Sequence, residues 1–88
     1  MIRFTVIWTK QAINSLAFLW TTTLQRADVT RLSAIIDHEL RADAHLKGFE
    51  LREGLREIWH ETMAVTFTVN MLDRIVYVHS LVVFETLL

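Results

Sequence analysis

The chain has 88 residues and no cysteine, which leaves room for one domain, 1–88, and excludes a disulfide framework or a thiolate metal site. Its formal net charge of -1 argues against a broad nucleic-acid surface, although a local basic patch stays possible. Hydrophobic residues make up 52% of the sequence, above the usual globular share, so either a two-layer fold absorbs them or a partner covers part of the surface.

The opening "MIRFTVIWTK" is too short and too polar for a signal peptide, and no apolar run is long enough to cross a bilayer. A cytoplasmic protein without membrane contact is expected. Within that opening, Ile2, Phe4, Val6 and Trp8 alternate with Arg3 and Thr5, which is the period of a strand. Thr9 then offers an N-cap. Ala12, Ile13, Leu16, Ala17 and Trp20 recur at helical spacing, so a first helix is expected over Lys10 to Trp20. Thr21, Thr22 and Thr23 are poor helix formers and mark its end.

Asp28 can cap a second helix, with Val29, Leu32, Ile35, Ile36 and Leu40 as its buried stripe. Arg31, Asp37, His38 and Arg41 form its wet face. The pattern fades near Asp43, and a loop runs to Gly48. Phe49 and Leu51 alternate with Glu50 and Arg52 as a short second strand, and Glu53-Gly54 is a turn. A third strand follows from Leu55 to His60, a turn at Glu61 and Thr62, and a fourth strand from Met63 to Val69. Asn70 to Asp73 turn again into a fifth strand from Arg74 to about Phe84.

The order β-α-α-β-β-β-β gives an α+β fold: a two-helix hairpin on one face of a mostly antiparallel five-stranded sheet, its last four strands a meander. Trp8, Leu16, Ile36, Val65, Phe67 and Ile75 are the expected core.

With that order in hand, the chain resembles the RelE/ParE superfamily of small toxins from type II toxin-antitoxin modules. "VIWTKQAINSLAFLW" resembles the opening strand and helix of that group. "LKGFELREGLREIWHETMAVTFTV" resembles its hairpin, where Gly54-Leu55-Arg56 leads into a strand, and "DRIVYVHSLVVF" its closing strand. The resemblance spans nearly the whole chain. It implies a cytoplasmic toxin held silent by an antitoxin whose C-terminal segment wraps it. RelE-like members cut mRNA in the ribosomal A site, and ParE-like members inhibit DNA gyrase. A catalytically silent binding module of the same fold, or an unrelated α+β homodimer, would fit the same elements.

Cleavage of the RelE kind needs a base for the 2′-hydroxyl, an acid for the leaving oxygen and cations for the phosphorane. The resemblance puts Arg56 where such a cation stands, although it could equally balance Glu53 or Glu57 at the surface. Tyr77 and His79 lie two apart on one strand and so share a face, as an acid-base pair or as packing. His60 could look the same way. Arg41, Lys47 and Arg52, clustered in sequence, are the candidate phosphate contacts, interleaved with Asp43, Glu50, Glu53 and Glu57. The fifth strand carries no cation after Arg74, so any nuclease activity is expected to be weak. No cofactor is expected. His38 and His45 lack a third ligand by spacing, so neither is a metal site. Leu81, Val82, Val83 and Phe84 cannot all point inward from one strand. Together with Leu87 and Leu88 they are read as the surface that an antitoxin or a second copy covers.

Overall fold

The computed structural model describes residues 1–84, and Leu87 and Leu88 lie outside that range. The elements are β1 (Thr5–Trp8), α1 (Lys10–Thr22), α2 (Arg26–Leu40), a 3-10 turn at Ala44–Leu46, β2 (Phe49–Arg52), β3 (Leu55–His60), β4 (Met63–Asn70) and β5 (Ile75–Val83). The sheet order is β1-β5-β4-β3-β2. β2 to β5 form an antiparallel meander, and β1 joins the far side of β5 in parallel.

One sheet face is apolar and carries both helices. Met63, Val65 and Phe67 of β4, with Val76, Val78 and Leu81 of β5, are buried there. α2 sets Val29, Leu32, Ile36 and Leu40 onto them, the stripe that its spacing dictates. Ile35 of that stripe is only half-buried.

α1 departs from its expected packing. Ala12 is its one buried residue, while Ile13, Ala17 and Trp20 are exposed. Leu16 is half-buried at the junction with α2, and Trp8 and Ile75 are also half-buried. Trp8 stays near the surface because its indole Nε1–H donates to Asp37 Oδ1 at 2.9 Å, a polar tie from β1 to α2. Ile36, Val65 and Phe67 are fully buried as expected.

Helix ends differ from the sequence reading by small amounts with visible causes. α1 continues through Thr21 and Thr22, whose hydroxyls donate back to the Phe18 carbonyl. α2 begins at Arg26 rather than after Asp28, which instead sits in the first turn where the helix dipole favours a carboxylate.

The loop from Asp43 to Gly48 is pinned at both ends. Asp43 holds a left-handed φ of 52°, accepts the Ile2 amide on its carboxylate at 2.7 Å and donates its own amide to the Ile2 carbonyl. Gly48 at φ 64° passes so close to β3 that an added Cβ would stand 2.0 Å from the Glu57 carbonyl oxygen. Only glycine fits there.

Candidate functional site

Among the described residues no helix lies over the second face of the sheet. Its residues follow from the register. Ala64, Thr66 and Thr68 of β4 point away from the buried set, and β5 partners them with Val82, Ser80 and Tyr77. The pairing steps from Thr66↔Ser80 to Phe67↔Val78, so His79 is the extra residue of a bulge. The bulge has a chemical consequence. His79 and Ser80, adjacent in sequence, both bond to open-face hydroxyls. His79 Nε2 is 2.8 Å from Thr68 Oγ1, and the Ser80 hydroxyl is hydrogen-bonded to Thr66 Oγ1. The Tyr77 ring lies 6.5 Å from the His79 ring, tilted at 31°.

Around these groups is an open cavity of about 470 Å³, lined by Gln11, Arg52, Glu53, Leu55, Thr66, Thr68, His79 and Ser80. It is a polar bowl with one imidazole, several hydroxyls, one guanidinium and the Glu53 carboxylate. An imidazole can move a proton and a guanidinium can pair with an anion, so the bowl holds groups of both kinds in His79 and Arg52.

The structure separates the other cations expected for phosphate contact. Arg41 is held on α2 by Asp37, Nε to Oδ2 at 2.9 Å. Lys47 is held by Glu39 at 2.7 Å, and that contact lowers the Glu39 carboxyl below its ordinary range. Of the three, only Arg52 lines the bowl. Arg56 pairs in register with Phe67, so it leaves the sheet on the helix-bearing face. There its guanidinium donates to the Lys47 carbonyl at 3.0 Å and the Gly48 carbonyl at 3.3 Å. It braces the loop against β3. His60 pairs with buried Met63 and so also lies on the helix side, away from His79. Among the described residues no three His, Cys, Asp or Glu side chains gather closely enough to hold a metal. His45 packs against the Phe4 ring at 5.8 Å.

Thr66, Thr68 and Ser80 were not singled out from sequence. The spacing of Thr66 and Thr68 in "TFT" does place two hydroxyls on one strand face. The bulge that brings His79 and Ser80 to them has no sequence signal in this chain.

Beyond the bowl the open face turns apolar. Trp59 stacks on Phe84 with centroids 5.0 Å apart and planes at 14°, and both are about half exposed. Val82 is also exposed, Val83 is half-buried and Leu81 is buried. The four residues read as partner-binding thus divide: one serves the core and three reach the surface. Beside them, a groove of about 680 Å³ runs between α1 and β5, with Phe18, Leu19, Leu81, Val82 and Val83 as its apolar lining.

Among the described residues no helix is long and apolar enough to cross a membrane. This architecture, a helical hairpin on one face of a β1-β5-β4-β3-β2 sheet, is shared with chains of solved toxin-antitoxin systems. One similar solved structure is a chain of the toxin-antitoxin complex RelBE2 from Mycobacterium tuberculosis, with a TM-score of 0.81, 16% identity, and 98% of this chain covering 97% of that one. Another is a chain of the chromosomal ParDE system from P. aeruginosa, with a TM-score of 0.66, 13% identity and coverage of 97% and 100%. No protein-family model and no curated protein sequence matches the chain.

Proposed function

We propose that the protein is the toxin of a toxin-antitoxin pair, kept silent by an antitoxin that covers its apolar open surface. The observation that carries this reading is the likeness over 98% of the chain to a component of such a complex. The exposed Phe18, Val82, Phe84 and Trp59 support it, because a core this small leaves them uncovered.

For its activity we propose a weak ribosome-dependent mRNA endonuclease acting in the cytoplasm. The bowl centres on His79, with Tyr77 beside it. His79 takes the proton of the attacking 2′-hydroxyl or supplies one to the leaving oxygen, and Arg52 faces the phosphate. With one guanidinium at the bowl, stabilisation of the phosphorane is limited. A specific observation favours a second reading, inhibition of a protein target such as DNA gyrase without cleavage: Arg41 and Lys47 are spent in ion pairs and Arg56 in bracing a loop.

Inducible expression in a bacterial host, with and without the product of any short reading frame found beside its gene, tests both. Growth arrest relieved by that product is expected. Cleavage sites in translated mRNA that vanish in His79→Ala support the nuclease. Arrest that persists in His79→Ala with intact mRNA supports the protein target. Unimpaired growth in every arm overturns the toxin reading.

A further inference from the structure

The groove between α1 and β5 has backbone as well as side chains to offer. β1 ends at Trp8, opposite Val78, while β5 continues to Val83. Residues 79–83 therefore have β4 on one side and, among the described residues, no strand on the other. The ladder phase shows which groups are free. The Phe84 amide donates to the Thr62 carbonyl of the β3–β4 turn at 2.8 Å. In an antiparallel ladder alternate residues face the same neighbour, so Val82 and Phe84 turn toward β4. Leu81 and Val83 turn their N–H and C=O groups into the groove.

Charge narrows the occupant further. Lys10 stands at the groove and has no ion-pair or hydrogen-bond partner among the described residues. Among the described residues no carboxylate lines the groove, and the first turn of α1 contains none to balance its positive end.

We infer that the groove takes an extended, aliphatic segment of the antitoxin as a sixth strand on β5, with a carboxylate of that segment against Lys10. This rests on the toxin reading and specifies the partner's chemistry. Backbone pairing to Leu81 and Val83 supplies register. Phe18, Leu19 and Val82 receive alternate side chains, and Lys10 selects an acidic residue near the end of the added strand. Five residues of free edge span roughly 17 Å, room for a strand of ordinary length.

The test uses fluorescein-labelled hexapeptides of alternating valine and threonine, with glutamate or lysine placed at either end, and anisotropy as the readout. A glutamate peptide is expected to bind roughly fivefold more tightly than its lysine counterpart, the effect of one exposed ion pair. Lys10→Glu should reverse that order. Val83→Pro removes a groove-facing N–H while leaving the β4 ladder untouched, and should abolish binding. If Val83→Pro fails to fold, the Lys10→Glu reversal decides. No binding by any peptide, an unchanged order in Lys10→Glu, or a dimer of the chain that the glutamate peptides do not displace would each overturn the inference. The two readings fail separately. Growth arrest with no peptide binding sinks the strand site alone, whereas charge-selective peptide binding without growth arrest sinks the toxin reading alone.

Discussion

Two open stretches of the sheet margin, β2 and the part of β5 that runs on past β1, are built in opposite ways. At the β2 edge all four residues are exposed, but Glu50 and Arg52 put charge there and a register shift around Leu51 breaks the ladder. The Glu50 carboxylate also accepts the Gly54 amide, folding itself into the turn. A short, charged and bulged edge is how a sheet discourages further strands. The β5 stretch has a bulge only at its start, at His79, and from Ser80 to Val83 it is regular and uncharged. Its residues 81–83 are aliphatic, α1 walls it into a groove, and Lys10 is the charged residue among the described residues that line it. Exposure alone therefore does not mark a docking edge in this molecule. The proposed docking stretch differs from β2 in setting unpaired backbone beside apolar side chains and Lys10.

The largest expected effect strikes the protected edge. Gly48→Ala drives a Cβ into the Glu57 carbonyl and forces a left-handed residue to carry it, so β2 must part from β3. A loss of about 2–3 kcal/mol is expected, a fall in Tm on the order of 10 °C or more by circular dichroism. Gly54→Ala is the control, since a Cβ there meets nothing within 4 Å although its φ is 81°. It should cost about half as much. Equal losses would mean that the close approach at Gly48 plays no part.

Next come the edges themselves, compared by exchange of their chemistry. Arg52→Val strips charge from β2 and should raise self-association of the isolated chain in light scattering. Val82→Lys charges the rim of the β5 groove and should lower it. The opposite pattern would reverse the assignment of docking and protected edges.

A smaller effect separates bracing from chemistry. Arg56→Ala loses two donations to loop carbonyls and should cost about 1 kcal/mol of stability. Growth arrest should survive it. His79→Ala should do the reverse, sparing stability and reducing mRNA cleavage. Arrest lost in Arg56→Ala at unchanged Tm would return that arginine to the chemistry.

The smallest effect is with pH. The Asp43 carboxyl is held below its ordinary value by the Ile2 amide, Glu39 by Lys47 and Glu61 by Arg31. Folded values below the unfolded ones mean stability that is complete above the unfolded range, about 4 to 4.5, and is lost as pH falls through the folded values. All three groups are well solvated, so a shallow decline in Tm below about pH 4.5 is expected, and it should flatten when Asp43→Asn removes the N-terminal clamp.

The element order was legible in the sequence because period 2 and period 3.6 are both strong here. β3 begins and ends at Leu55 and His60, between the turns that Glu53-Gly54 and Glu61-Thr62 signal, and α2 buries its stripe at Val29, Leu32, Ile36 and Leu40. α1 was misjudged in its packing. Apolar residues lie on more than one of its faces, so spacing alone could not say that Ile13 and Trp20 stay outside while Ala12 goes in. The site was half legible. Tyr77 and His79 share the open face, as a period of 2 requires. The bulge that adds Ser80 depends on pairing with β4, and the fate of Arg56 depends on which sheet face the helices cover. Both are properties of tertiary register, which no local pattern in the sequence carries.

The most direct measurement is residue-resolved amide hydrogen exchange on the chain alone and with the proposed antitoxin. In the free chain the Leu81 and Val83 amides should exchange quickly while those of Val82 and Phe84 are protected, and the antitoxin should slow Leu81 and Val83 selectively, leaving β2 unchanged. Leu81 and Val83 amides already protected in the free chain, or protection arising along β2 instead, would contradict the open β5 edge as the place where the partner binds.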